Sequence, residues 1–279
     1  MTTAENGAVI VEHAPAKLNL ALHVRRRRPD GYHDIETLFV FCRDGDLISL
    51  SPAAQDSFAI EGPFGATLSG EKDNLVTRAR DHFRAAFDLP TPCAIVLEKN
   101  LPVASGIGGG SADAAATLRA LARLHGIAAD DARLFEIAAG LGADVPACLL
   151  GMSAVGHGRG DDLHQVTGYA GTPVLLVNPG VAISTARVFS GWDGEDRGPI
   201  SGDPADDRND LSLPAIAAVP MIAEVLAVLD RQPGVSLARM SGSGATCFGL
   251  FDTASAAQSS AAAITARYPD WWTLATSLT

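Results

Sequence analysis

The sequence predicts an α+β fold, on three observations. Strand-like and helix-like segments are interspersed without the regular alternation of a parallel βαβ sheet. At 279 residues the chain holds one large domain or two moderate ones, with a substantial buried core. A run from Gly106 to Gly110, four of its five residues glycine, leads straight into a helical pattern.

Val9–His13 is a short β-like run. Leu18–Val24 alternates until it meets Arg25–Arg28, Pro29, Asp30 and Gly31, where Pro-Asp-Gly supplies turn chemistry. Ile35–Phe41 and Asp46–Leu50 read as strands parted by a turn at Asp44-Gly45, and Phe58–Ile60 as a weaker strand. In Asn74–Phe87 the apolar Leu75, Ala79, Phe83 and Ala86 share one helical face. Cys93–Leu97 is β-like. Ser111–His125 reads as a strong helix with Ser111 at its N-cap and Gly126 at its end. Asp130–Ala139 is helical up to Gly140, and Pro146–Leu150 adds a short helix. Val174–Val177 is a buried strand and Thr185–Ser190 a helix. Residues 191–210, rich in Gly, Asp and Pro, read as a mobile surface loop. Met221–Asp230 is a helix, Ala238–Met240 and Thr246–Phe251 flank Ser241-Gly-Ser-Gly244, Ala254–Arg267 is a helix and Trp271–Thr276 a last strand.

Composition narrows the partners. A formal net charge of −11 argues against a nucleic-acid or anionic-membrane surface. The four cysteines are far apart and the seven histidines show no metal-binding spacing, so no metal ligands of the protein's own are expected. No apolar run approaches the ~20 residues of a membrane span. Residues 1–7 lack a basic and an apolar stretch, which leads us to expect a cytoplasmic protein. Both a monomer and a homodimer are compatible with the sequence.

The glycine run carries the first chemical signal. Glycines let backbone N–H groups approach an anion, and a helix N-terminus adds orphan donors and a favourable dipole. Together they form a phosphate cradle. It is not a P-loop, because Ser111 rather than Lys-Ser/Thr follows Gly110. Nor is it a dinucleotide fingerprint, because Ser111 stands where the third glycine belongs.

Asp144, in Gly140-Leu-Gly-Ala-Asp-Val-Pro146, is either a helix-cap carboxylate or one presented on a tight turn to accept a hydroxyl proton. Lys17 is embedded in an apolar strand, where an unpaired charge is costly, so it needs a carboxylate or phosphate partner. Asn19 shares its side of the strand. Tyr32 and His33 are either an ordinary aromatic pair at a strand start or a pair that stacks on a base and reads its edge. Ser241–Gly244 is either a plain strand connection or a second backbone approach to phosphate.

Together these residues resemble the GHMP kinases, the superfamily of galactokinase, homoserine kinase, mevalonate kinase and phosphomevalonate kinase. The resemblance covers nearly the whole chain. It rests on three motifs in order: Pro15-Ala-Lys-Leu-Asn19, Leu101-Pro102 through Ser111-Ala-Asp-Ala-Ala115, and Ser241-Gly-Ser-Gly244. Arg28-Pro-Asp-Gly-Tyr-His33 with Glu36-Thr-Leu-Phe39 is similar to the branch that phosphorylates a cytidine-diphosphate ester in isoprenoid-precursor synthesis. Leu141–Pro146, Asn178–Val181 and Asn209–Leu211 support that branch.

The resemblance implies a two-domain fold with the active site in the interdomain cleft, residues 1–165 forming the ATP-binding domain and 166–279 the C-terminal domain. It implies transfer of the γ-phosphoryl of ATP to a tertiary hydroxyl of a methylerythritol unit, with Asp144 as base and Lys17 as its partner. Pro102, Ser105, Gly106, Gly108, Gly109, Gly110 and Ser111 would bind ATP. Tyr32 and Phe189 would sandwich cytosine, His33 would read its edge, Asn19 and Thr185 would contact the substrate, and Phe39 would line the pocket. Mg²⁺ would come mainly with the ATP phosphates. The alternative is a GHMP kinase of the homoserine or phosphomevalonate type, against which the Tyr32-His33 pair argues, since those substrates carry no base.

Overall fold

Two long antiparallel strands, β1 (Ile10–Arg27) and β2 (His33–Pro52), organise the first half of the chain. The computed structural model describes residues 9–68 and 73–279, so the stretch read for targeting lies outside the described residues. The runs read as Val9–His13 and Leu18–Val24 belong to one strand, with register shifts between Pro15 and Lys17, Asn19 and Ala21, and Val24 and Arg26. The turn expected at Asp44-Gly45 is absent, because β2 runs through it. The glycine serves a close approach instead: a Cβ at Gly45 would lie 2.1 Å from the Ala14 carbonyl oxygen.

β2 is the axis of a six-stranded sheet. β1 pairs along one side. On the other side β4 (Cys93–Glu98) pairs with Leu47–Pro52 and β5 (Ala154–His157) with Thr37–Phe39. β3 (Ser57–Glu61) lies parallel to β4, and β6 (Asp162–Gln165) antiparallel to β5. The second sheet is antiparallel in the order β10-β7-β9-β8, with β7 Pro173–Asn178, β8 Val235–Met240, β9 Cys247–Phe251 and β10 Trp272–Ser277.

Four helices enter the core on the first sheet: α1 (Leu75–Phe87), α2 (Gly109–His125), α3 (Ala132–Leu141) and α4 (Val145–Leu150). The second sheet shares a core with α5 (Thr185–Ser190), α6 (Ser212–Ala218), α7 (Met221–Asp230) and α8 (Ala254–Arg267). A third apolar cluster joins the two sheets. In it Leu18, Leu20 and Val40 meet Val174, Leu176 and Phe248, all fully buried. Cutting one of these leucines back to alanine costs about 2–5 kcal/mol, so the two layers hold one arrangement.

Helix starts differ from expectation in instructive ways. α2 begins at Gly109 and its cap is Gly108, left-handed at φ 65°, so Ser111 sits inside the first turn rather than at the cap. α3 is capped by the Asp131 side chain, which accepts from Arg133 N; Gly140 lies within the helix and Gly142 ends it. Residues 191–210 form no helix or strand, yet they are not a loose surface loop. Leu22 N donates to Arg208 O (2.9 Å), Asp210 N to Leu22 O (2.8 Å), and Val24 N to the buried Asp210 carboxylate (2.8 Å). The segment covers the free edge of β1 and satisfies backbone groups that an open edge would leave unpaired.

Candidate active site

A cavity of about 750 Å³ is lined by residues from both halves of the chain, and most of the expected site residues meet there.

At one end lies the glycine loop. Three hydrogen bonds fix it: Lys17 N to Ile107 O (2.9 Å), Thr246 N to Ser105 O (3.1 Å) and Ser241 Oγ to Gly106 O (3.0 Å). Asn19 N donates to the same Ser241 hydroxyl at 3.2 Å. The two glycine turns mesh, since a Cβ at Gly106 would stand 2.5 Å from Gly244 O and 2.7 Å from Ser241 O. Gly106 also needs its left-handed φ of 78°. The first turn of α2, Gly109 to Ser111, borders the cavity with its orphan N–H donors and the positive end of the helix dipole. The three glycines there have different surroundings. A Cβ at Gly108 would touch Lys17 Cε at 3.0 Å, one at Gly109 would meet Lys99 Nζ at 3.0 Å, and one at Gly110 would find only Leu75 Cδ1 at 3.6 Å.

Beside the loop stands the carboxylate. Asp144 precedes α4, but its side chain makes no cap hydrogen bond. It reaches Lys17 instead, Oδ2 to Nζ 2.9 Å, with the lysine buried and the aspartate partly open. Lys17 Nζ also donates to Asn19 Oδ1 (3.0 Å), Asn19 Nδ2 to Thr37 Oγ1 (2.7 Å), and Thr37 Oγ1 to Ala21 O (2.7 Å). This chain fixes which way the Asn19 amide faces. Phe39 lies under the ammonium, 5.3 Å from Nζ to ring centroid. Phe39 is fully buried and does not line the cavity, contrary to expectation: its ring supports Lys17 from below. Pro102 is likewise buried off the cavity, where its carbonyl accepts from Ser105 Oγ at 2.6 Å.

The other end is aromatic. His33 lies against Phe189, centroids 5.0 Å apart and tilted 37°, and meets the edge of Trp192 at 5.8 Å. Burial first, and the Arg27 charge second, hold the imidazole below its usual pKa, so it is neutral at pH 7. Its Nε2 is buried without a hydrogen-bond partner. Tyr32 is half exposed and packs under the Arg159 guanidinium, 5.3 Å from its ring centroid. Thus Phe189 faces His33, and the Tyr32 ring pairs with a cation rather than with Phe189. Thr185 Oγ1 lies 2.9 Å from Ser243 Oγ, joining α5 to the second glycine turn.

Sequence reasoning missed three features. Thr37 stands in the quoted Glu36–Phe39 stretch, but its bond to Asn19 comes from the β1–β2 pairing. Arg159 lies in a polar turn whose place beside Tyr32 depends on long-range pairing. The third is a buried cluster under Gly109, where Lys99 Nζ lies 2.5 Å from Asp46 Oδ2 and 2.6 Å from Asp113 Oδ2. Lys99 follows an apolar strand, and its charge, buried like that of Lys17, likewise requires partners. Burial raises the Asp113 carboxyl to about 8 against the pull of Lys99.

Comparisons with known proteins give the chain its family and its fold. Residues 74–152 match the model of the GHMP kinases N terminal domain, and residues 200–270 that of the GHMP kinases C terminal region. The chain is 52% identical over 276 residues to 4-diphosphocytidyl-2-C-methyl-D-erythritol kinase of Rhizorhabdus wittichii, covering 96% of this chain and 94% of that one. It is 49% identical over 283 residues to the enzyme of the same name from Sphingopyxis alaskensis, covering 97% and 99%. A crystal structure of 4-(cytidine 5'-diphospho)-2C-methyl-D-erythritol kinase superposes with a TM-score of 0.82 at 34% identity, over 96% of this chain and 99% of that one. Homoserine kinase from Cytophaga hutchinsonii shares the fold, with a TM-score of 0.73 at 17% identity over 100% of this chain and 96% of that one. Among the described residues, no helix is long and apolar enough to cross a membrane.

Proposed function

Since the chain belongs to the GHMP kinases, and within them to the 4-diphosphocytidyl-2-C-methyl-D-erythritol kinases, we propose that its cleft moves the γ-phosphoryl of ATP to the tertiary 2-hydroxyl of 4-diphosphocytidyl-2-C-methyl-D-erythritol, a step in isoprenoid-precursor synthesis. The observation that carries this reading is the Lys17–Asp144 pair, set at 2.9 Å beside the glycine loop in the cavity that His33 and Phe189 also line. The phosphate-binding unit is taken as residues 1–165, and residues 166–279 supply α5 and the second glycine turn.

Phosphoryl transfer is largely positioning and charge stabilisation. In this reading the α2 N-terminus and the loop from Ser105 to Ser111 hold the ATP phosphates. Asp144 takes the hydroxyl proton as the substrate oxygen bonds the γ-phosphorus and ADP leaves. Lys17 holds the carboxylate in place and offers positive charge to the transferring group. Asn19, fixed by Thr37, and Thr185, fixed by Ser243, orient the acceptor. Phe189 and Tyr32 offer ring faces to cytosine, and His33 with its neighbouring backbone the edge contact.

Mg²⁺ fits this reading as an ion carried by the polyphosphate. Among the described residues no cluster of three His, Cys, Asp or Glu could hold a metal alone. Ser111 and Asp144 are among the oxygen-bearing residues at the cavity that would complete its shell. When bound, the ion neutralises phosphate charge.

The test is kcat/KM for the cytidine diphosphate ester against its uridine analogue, homoserine and phosphomevalonate. Uracil presents a donor where cytosine presents an acceptor, and a site built to hydrogen-bond its ligand rejects such a mismatch by up to about 10⁴-fold. The preference should shrink in His33→Ala, and Phe189→Ala should cost about 1–3 kcal/mol of acceptor binding. Equal use of the cytidine and uridine esters by the wild type overturns the pocket assignment.

A further inference from the structure

The cleft is lined by only two Lys or Arg side chains among the described residues, Lys17 and Arg159. The acceptor of the proposed reaction carries a diphosphate between its base and its tetrol. Lys17 is already engaged by Asp144 and Asn19 at the transfer end. Arg159 has no place in the reading given above.

The fold fixes Arg159 firmly. It stands between Gly158 and Gly160, both in the left-handed region at φ 67° and 94°. The turn is tied to β2 by Ile35 N donating to Gly158 O at 2.7 Å, and closed by Gly160 N donating to His157 O at 2.9 Å. A Cβ at Gly160 would stand 3.3 Å from the Phe39 ring and 3.5 Å from Ile35. Phe39 is the ring beneath Lys17, and Ile35 lies two residues from His33. The turn therefore sits between the transfer end and the base end of the cleft.

The guanidinium is held but not consumed. Its Nε and Nη2 both donate to Asp161 Oδ2, at 3.0 and 2.7 Å, while Nη1 has no hydrogen bond to a described residue. The side chain is 29% exposed, and the guanidinium lies over Tyr32 at 5.3 Å. Such a group can do two things at once: back an aromatic ring through its charge and donate to a phosphate oxygen.

We propose that Arg159 is a specificity-determining residue that recognises the diphosphate of the acceptor substrate while bracing Tyr32 beside the base. This rests on the cytidine-ester reading of the same cleft. It predicts that the enzyme separates a nucleoside diphosphate from the bare nucleoside by charge at this one position. Lys17 and the glycine loop are left to the transferring phosphoryl group.

The experiment is calorimetric binding of CDP and of cytidine, without ATP, to the wild type, Arg159→Lys and Arg159→Met. A charge-assisted hydrogen bond in a partly buried cleft is worth about 10- to 100-fold in affinity. The wild type should bind CDP more tightly than cytidine, and Arg159→Met should shrink that ratio by about this factor. Arg159→Lys should retain part of it and keeps the test readable if the methionine variant fails to fold. In turnover, KM for the ester should rise while kcat and KM for ATP stay within about twofold. The wild-type ratio should also fall with added salt more steeply than that of Arg159→Met. A ratio unchanged in both variants, or an equal loss of CDP and cytidine binding, overturns the proposal. Failure of the wild type to bind CDP at all, with ATP still bound, overturns the cytidine-ester reading itself.

Discussion

Lys17 on β1 and Asp144 at the entrance to α4 meet at 2.9 Å, with the lysine buried and the carboxylate open to the cleft. The carboxylate makes no cap bond and borders the cavity beside the glycine loop.

Asp144→Asn keeps the shape of that side chain and removes its basicity. A positioned general base contributes about 10²–10⁴ in rate, so kcat should fall by that range while ATP affinity holds. Steady-state kinetics with an ATP titration checks it. A variant with near wild-type kcat removes Asp144 from proton transfer and leaves positioning alone.

The neighbouring glycines of the cradle should behave differently when substituted. Gly110 borders the cavity, and a side chain there meets only Leu75, so Gly110→Val should fold and lose ATP binding. Gly109 faces the Lys99 ammonium, so Gly109→Val should disturb the buried charges beneath the loop and lower the melting temperature as well. Thermal melts beside ATP titrations separate the two. Normal ATP affinity in folded Gly110→Val would falsify the cradle.

The cluster beneath Gly109 makes stability depend on pH. Asp46 receives Asn100 N at 2.5 Å and Leu101 N at 2.8 Å besides the lysine, whereas Asp113 Oδ1 has no partner. Burial places Asp113 near 8, above its ordinary 3.8. Between those values the native protein keeps a proton that the unfolded chain releases. Stability from this group is therefore full below about pH 4 and lost as pH rises towards 8. Asp113→Asn should flatten the decline and melt higher than the wild type above pH 8. Melting curves from pH 5 to 9 that stay parallel for the two proteins exclude this role.

Helices α5, α7 and α8 were legible in the sequence to the residue, because amphipathic or capped runs carry their own signal. The β5–β6 hairpin was not, since four-residue strands show no usable alternation. Gly45 misled because its requirement comes from Ala14 across the hairpin rather than from a local turn. The site divides in the same way. Lys17, Asp144 and the glycine run could be read from motif and context. The partnership of Arg159 with Tyr32, the support that Phe39 gives Lys17, and the Asn19–Thr37 bond arise only when distant segments pair.

The Ser241 hydroxyl, which receives Asn19 N and donates to Gly106 O, has a consequence for synthesis. The first sheet ends at Gln165, so a nascent chain can assemble that layer and its helices well before residues 241–244 are made. The wall that meshes with Gly106 is made much later, and Thr279 N closes onto Phe41 O at 2.9 Å. A ribosome-bound chain stalled before residue 241 would carry a folded first layer and an unfinished nucleotide cradle. Competence to bind ATP would then arrive as a late, single event in biogenesis rather than growing with length.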